Sequence, residues 1–185
     1  LPLTFKAPSS SAPSRSRNMN QSIRREIILE YSKWCAFSAL RSGAPVKKRD
    51  VIYPKIDEIS FGIVLDKNTH ITEQEFIIWH RDECKKLARN LGDKHWIGWS
   101  SKIINIYLKT ACYIGGLGRK GLVEVIHPPL DGILAKALEK KVSIPRIKEI
   151  KSYNQYLKLI DLIKIETHKQ GISLFEIEKE WKIKR

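Results

Sequence analysis

The chain has 185 residues, 42% of them hydrophobic and 29% charged, and a formal net charge of +14 from 34 Lys and Arg against 20 Asp and Glu. That length suits one domain with its own hydrophobic core, and no apolar run approaches the roughly 18–20 residues that cross a bilayer. The basic excess points to a polyanion as partner, because each phosphate neutralised releases condensed counterions.

In chain order, residues 1 to about 18 (LPLTFKAPSSSAPSRSRN) are rich in Ser, Pro and Arg and lack apolar periodicity. Such a stretch cannot bury enough surface to offset its ordering entropy, so a flexible leader is expected ahead of a single domain over residues 19–185. Met19, the one methionine, follows directly and is a candidate natural start. From about Gln21 to Arg41, the residues Ile23, Ile27, Tyr31, Trp34 and Ala39 recur at helical spacing, which predicts a helix with Trp34 in the core. Gly43 and Pro45 stop it. Around residues 51–66, the piece ISFGIVL reads as a short strand or buried extended segment.

Thr72 and Glu75 form a capping box, opening a helix that runs to about Asn90 and ends at Gly92. The next helix is expected from about Ser100 to Ile114, with Ile103, Ile106, Tyr107 and Ala111 on one side. GGLGRKG is a loop, and another helix covers about Pro129 to Lys140. Ser152 with Gln155, and Ser173 with Glu176, are capping boxes opening the last helices. The fold class is mainly α.

The three cysteines, Cys35, Cys84 and Cys112, lie far apart with no CxxC pair. Disulfides and a zinc site are therefore poor fits; the thiols read as small core side chains in a reducing compartment. No metal and no cofactor is expected, and the location read from this usage is cytoplasmic.

Two pieces carry chemistry. In Ile97-Gly98-Trp99-Ser100-Ser101-Lys102 a glycine turn lets the backbone approach a phosphate, and the amides of a helix start suit an anion. Gly98, Ser100 and Ser101 would form this cradle, with Lys94, His95 and Lys109 adding charge. The second piece, His127-Pro128-Pro129-Leu130-Asp131, places a carboxylate 29 positions after Lys102. Its prolines fix φ and remove two amide donors, so the loop is rigid and delivers Asp131 to a helix N-terminus. There the carboxylate caps amides or faces a cleft, and both remain open.

Together these pieces resemble the helix–hairpin–helix DNA glycosylase superfamily, in particular its 8-oxoguanine glycosylase branch and the archaeal relatives. Gly98 to Lys102 matches the hairpin's G-x-x-K with one extra residue, and Pro128-Pro129-Leu130-Asp131 matches the aspartate loop. IINIYLKTACYI matches the buried helix between them, so the resemblance spans roughly residues 85–140. The leading Leu-Pro-Gly-Val-Gly pattern is reduced to Gly98, and the four-cysteine cluster of some relatives is absent.

The resemblance implies a helix–hairpin–helix glycosylase-like fold and a DNA glycosylase, with or without AP lyase activity, acting as a monomer on double-stranded DNA without a membrane. Lys102 and Asp131 would be catalytic, the first as nucleophile at the sugar and the second as stabiliser of the sugar cation. The substrate would be a damaged purine or a modified base of foreign (phage) DNA. Aromatic walls replace the stacking a flipped base loses, and Trp79, His80, Trp96, Trp99 and His127 are the candidates, with core packing as the plain alternative. GGLGRKG lacks P-loop spacing, and its Arg119 and Lys120 are expected to lie near DNA. Two further readings stand beside this one. The first is an HEPN-type RNase using Arg89 and His95, which have five residues between them. The second is a non-enzymatic helical DNA-binding module.

Overall fold

The computed structural model describes residues 14–40, 43–66 and 68–180, and every regular element among them is helical. The mainly α expectation holds at that level. The extended segment expected around residues 51–66 is instead two helices, α2 (Arg49–Asp57) and α3 (Gly62–Leu65). Ile52 and Ile56, four positions apart, are each 1% exposed, so burial here follows the helical period. In the piece ISFGIVL, Ile59 and Phe61 belong to the turn between the two helices, and Ile63 beyond it is exposed.

Helix α1 (Ser14–Ser38) begins inside the segment expected to be a leader, and residues 1–13 lie outside the described residues. Its orientation overturns the reading of its apolar face. Ile23, Ile27, Tyr31 and Trp34 point to solvent at 48, 63, 54 and 50% exposure. Tyr31 and Trp34 stack on each other there, ring centroids 5.7 Å apart. The inward stripe is Ile28, Ser32, Ala36 and Leu40, also at helical spacing but slimmer. Small side chains let α1 lie close to its neighbours: a Cβ on Gly115 would stand only 2.5 Å from Ile28 Cγ2.

Helix α4 (Glu73–Asn90) opens with the expected capping box, the Thr72 amide donating to Glu75 Oε2 at 2.8 Å and the Glu75 amide to Thr72 Oγ1 at 3.2 Å. Helix α5 (Ile97–Leu108) starts earlier than expected and runs on as a π-helical turn, Lys109–Ile114. It is the centre of the fold, packed by α1, α4 and α8 (Tyr153–Gln170). Apart from Lys102 and Ile106, its residues are buried on every side, as expected for an apolar helix enclosed by others.

The shorter α6 (Leu122–Val125) and α7 (Gly132–Leu138) follow, α7 being trimmed relative to the expected Pro129–Lys140 because Asp131 caps it. Ser152 caps α8, its Oγ accepting from the Gln155 amide, and the Ser173–Glu176 box leads into a 3-10 turn, Phe175–Glu180. Cys84 and Cys112 are buried, while Cys35 is half-buried; all three are free thiols. Among the described residues no helix is long and apolar enough to cross a membrane.

Phe76 is fully buried, its ring 5.4 Å from that of His80 and 5.1 Å from that of His127. Phe76→Ala is expected to cost about 3–5 kcal/mol in urea denaturation, and Trp34→Ala less than about 0.5 kcal/mol. Comparable losses for the two would show that the outward stripe of α1 is covered in solution.

Candidate active site

The lysine helix and the aspartate loop meet through a residue that the sequence reading did not single out. Asn105, 1% exposed, sits one turn beyond Lys102 on α5. Its Nδ2 donates to the Pro128 carbonyl at 3.3 Å and to the Tyr156 hydroxyl at 2.9 Å. Its Oδ1 lies 2.9 Å from His80 Nε2. The other nitrogen of His80 is 2.8 Å from the Tyr153 hydroxyl, and Tyr156 Oη lies 3.0 Å from His127 Nδ1. One amide thus joins α4, α5, α8 and the His-Pro-Pro-Leu-Asp loop.

The donor count orders the protons along this chain. Asn105 Oδ1 only accepts, so His80 Nε2 carries the hydrogen there. Tyr156 accepts from Asn105 and donates to His127 Nδ1, which leaves the His127 proton on Nε2. That Nε2 is buried and has no hydrogen-bond partner among the described residues. Burial pushes His80 down to about 4. Burial, with the charges of His80 and Lys164 adding to it, holds His127 well below the ordinary histidine range. Both rings are therefore neutral at pH 7, and burial raises the Tyr153 and Tyr156 phenols far above theirs. His80, His127 and Tyr156 are each 0% exposed, so the cluster is a structural core of polar groups.

The expected anion cradle has a different arrangement. Gly98 is the second residue of α5, and its amide donates to the Ile150 carbonyl at 3.1 Å. A Cβ at this position would stand 2.1 Å from the Ile147 carbonyl oxygen, so the glycine admits a crossing backbone. That backbone is a 3-10 turn, Ile147–Glu149. Ser100 and Ser101 are buried beside it, Ser101 Oγ donating to the Gly98 carbonyl at 3.0 Å. The start of α5 is covered by protein.

Lys102 is half-buried; its Nζ donates to the Ala39 carbonyl at 3.0 Å and lies 5.8 Å from the Trp99 ring centre. Asp131 caps α7, Oδ1 accepting the amides of Ile133 at 3.0 Å and Leu134 at 2.9 Å. Lys109, seven positions from Lys102 and so on the same helix face, forms an ion pair with Glu178 of the last 3-10 turn. Burial raises the Glu178 carboxyl; Lys109 pulls it down, and the nearby charge of Asp131 adds to the rise. Glu178, which the sequence reading passed over because it is one of many charges in an acidic-basic tail, therefore links Asp131 electrostatically to α5.

The remaining candidates separate into core and surface. Trp79 and Trp99 are buried, Trp79 Nε1 donating to the Ser60 carbonyl at 3.3 Å, and Trp96 is half-buried against the core. Arg119 is 9% exposed and clamps the Thr69 and His70 carbonyls. Lys94 and Lys120 are exposed. Arg89 is exposed at the end of α4, while His95 lies in the following turn, its Nδ1 held 3.0 Å from Asp93 Oδ1. No family model, no characterised protein and no solved structure matches this chain.

Because His80 is depressed when folded, it takes up a proton on unfolding below its ordinary value. Its contribution to stability is whole above about 6.5 and is lost as pH falls toward about 4. That loss amounts to about 3 kcal/mol for this ring alone, at 1.36 kcal/mol per unit. Thermal melts are expected to show the steepest fall in Tm across this window, and a flat profile would contradict the buried neutral pair. Asn105→Ala, which strands His80 Nε2 and the Pro128 carbonyl, is expected to cost about 3 kcal/mol at neutral pH.

Proposed function

We propose that the chain is a DNA glycosylase that draws a damaged or modified base out of duplex DNA and breaks its N-glycosidic bond. Lys102 is the nucleophile and Asp131 its carboxylate partner. The observation that carries this reading is the Asn105–Pro128 hydrogen bond of 3.3 Å, which builds the helix of the lysine and the loop of the aspartate as one unit. The net charge of +14 supplies the attraction to a phosphate backbone.

The lone pair of Lys102 Nζ forms a bond to the sugar C1′ while the glycosidic electron pair leaves with the base, which takes up a proton. Ring opening then gives a Schiff base, from which β-elimination nicks the strand. Asp131 stabilises the positive charge that develops on the sugar, and flipping the base costs a few kcal/mol of unstacking. The substrate class is an oxidised purine or a modified base of foreign DNA.

A second reading, a non-enzymatic duplex-binding module, is favoured by two contacts. The Gly98 amide and the Lys102 amine are already engaged with the Ile150 and Ala39 carbonyls. Borohydride trapping on a duplex carrying an abasic site separates the two. A covalent adduct is expected with the unaltered chain and with Lys109→Ala, and none with Lys102→Ala. If no adduct forms and no base is released from oxidised or hypermodified duplexes, the enzymatic reading fails; base release without an adduct that Asp131→Asn abolishes marks a glycosylase without lyase activity.

A further inference from the structure

We propose that the phosphate contacts are made by the segment that covers the start of α5, with Arg146, Lys148 and Lys151 as the contacting cations and duplex DNA as the partner. This rests on the nucleic-acid part of the function proposed above and relocates where the backbone is gripped. Gly98 lies under the Ile147–Glu149 turn with its amide spent on the Ile150 carbonyl at 3.1 Å, and the Ser100 amide is spent on the Trp96 carbonyl at 3.0 Å. A phosphate cannot approach them while that turn is in place.

The covering segment offers what the buried amides do not. Arg146, Lys148 and Lys151 are all exposed, as is Lys94 in the turn just before α5. Lys151 stands close enough to Asp93, next to Lys94, for its charge to help hold the Asp93 carboxyl below its usual range. The two loops thus form one surface. Its two acids are engaged locally: Asp93 Oδ1 accepts the His95 amide at 2.8 Å, and Glu149 Oε2 accepts the Arg146 amide at 3.2 Å.

The track has length as well as charge. Lys141 pairs with Glu166, far along α8, whereas Lys151 precedes the first turn of the same helix. The segment 141–151 therefore runs back beside α8 over roughly 20 Å, at 1.5 Å of rise per residue. That span is about six nucleotide steps of one strand of a duplex. Exposed cations spaced along this segment, which is backed by α8, suit phosphates, and they carry no base-reading group, so the contact positions the duplex without specifying sequence.

The test is fluorescence anisotropy of the full chain on an undamaged labelled duplex over a salt series. Arg146→Ala/Lys148→Ala/Lys151→Ala is compared with Lys47→Ala/Lys48→Ala/Lys85→Ala, which removes equal charge from exposed positions elsewhere. The first triple is expected to weaken binding at least ~10-fold and to lower the log–log salt slope by about two to three, at ~0.9 per phosphate contact. The control triple is expected to stay within about twofold, and Lys148→Arg/Lys151→Arg to bind as the unaltered chain does. Equal weakening in both triples overturns the proposal, as does binding only to single-stranded RNA or to no nucleic acid. Loss of binding in the first triple, with neither a borohydride adduct nor base release by the unaltered chain, sustains this surface while ending the enzymatic reading. An adduct with unweakened binding in the first triple does the reverse.

Discussion

The arrangement depends on the side-chain amide of Asn105. A buried primary amide is costly unless both its donor hydrogens and its acceptor are used, and here all are used. The two hydrogens go to the Pro128 carbonyl and Tyr156, and the oxygen faces His80. Four separate pieces of chain must be in register for those bonds to form together. A purely apolar core would tolerate small slips between these elements; a polar hub in a low-dielectric interior does not. This is why the aspartate loop is held in a set position against α5, although its prolines offer few amides for anchoring.

The same hub explains the state of the histidines. Its hydrogen-bond polarity runs from His80 through Asn105 and Tyr156 to His127 and ends on an imidazole N–H that meets no acceptor. With both rings held neutral by burial, neither offers a charge to a phosphate. Their part in any chemistry is to set the position of the Pro128–Asp131 loop from below. The reactive candidates lie on the outer side of α5, where Lys102 and Lys109 share a face and Glu178 responds to Asp131.

Gly98 shows how a residue chosen for one reason in sequence can serve another in the fold. A glycine before a lysine at a helix start suggests an opening for an anion. Here the missing side chain makes room for the Ile147 carbonyl, 2.1 Å from where a Cβ would stand. The helix start is sealed, and the basic residues of the sealing turn take the outward position. The π-helical turn at Lys109–Ile114 continues α5 at its other end, so the half-buried Lys102 and Lys109 lie along one continuous helical run.

Much of the fold was legible in the chain. The box at Thr72, the cap at Ser152 (where Gln155 Oε1 accepts the Lys151 amide instead of closing a box) and the box at Ser173 marked the starts of two helices and a 3-10 turn, because such pairing is local and needs no partner element. Asp131 was placed at a helix N-terminus for the same reason, since consecutive prolines forbid a helix before it. Periodicity identified α1 but chose the wrong face, because Ile23-Ile27-Tyr31-Trp34 and Ile28-Ser32-Ala36-Leu40 both recur at helical spacing. Which stripe turns inward depends on how closely α5 and Gly115 approach, and that is a property of the packed pair. The apolar piece ISFGIVL likewise read as a strand or buried extended segment, whereas packing makes Gly62–Leu65 a helical turn with Val64 and Leu65 buried and Ile63 exposed.

The sequence by itself determined the helical class, the bounds of α4, the start of α8, the basic charge and the proline loop that delivers Asp131 to a helix start, all set by interactions within a few residues. Only the tertiary structure decided that Asn105 is the junction, that Gly98 is covered, and that Glu178 pairs with Lys109. These relations join residues 23 to 69 positions apart, and hydrogen-bond satisfaction and close packing over such separations exist only once the chain has folded.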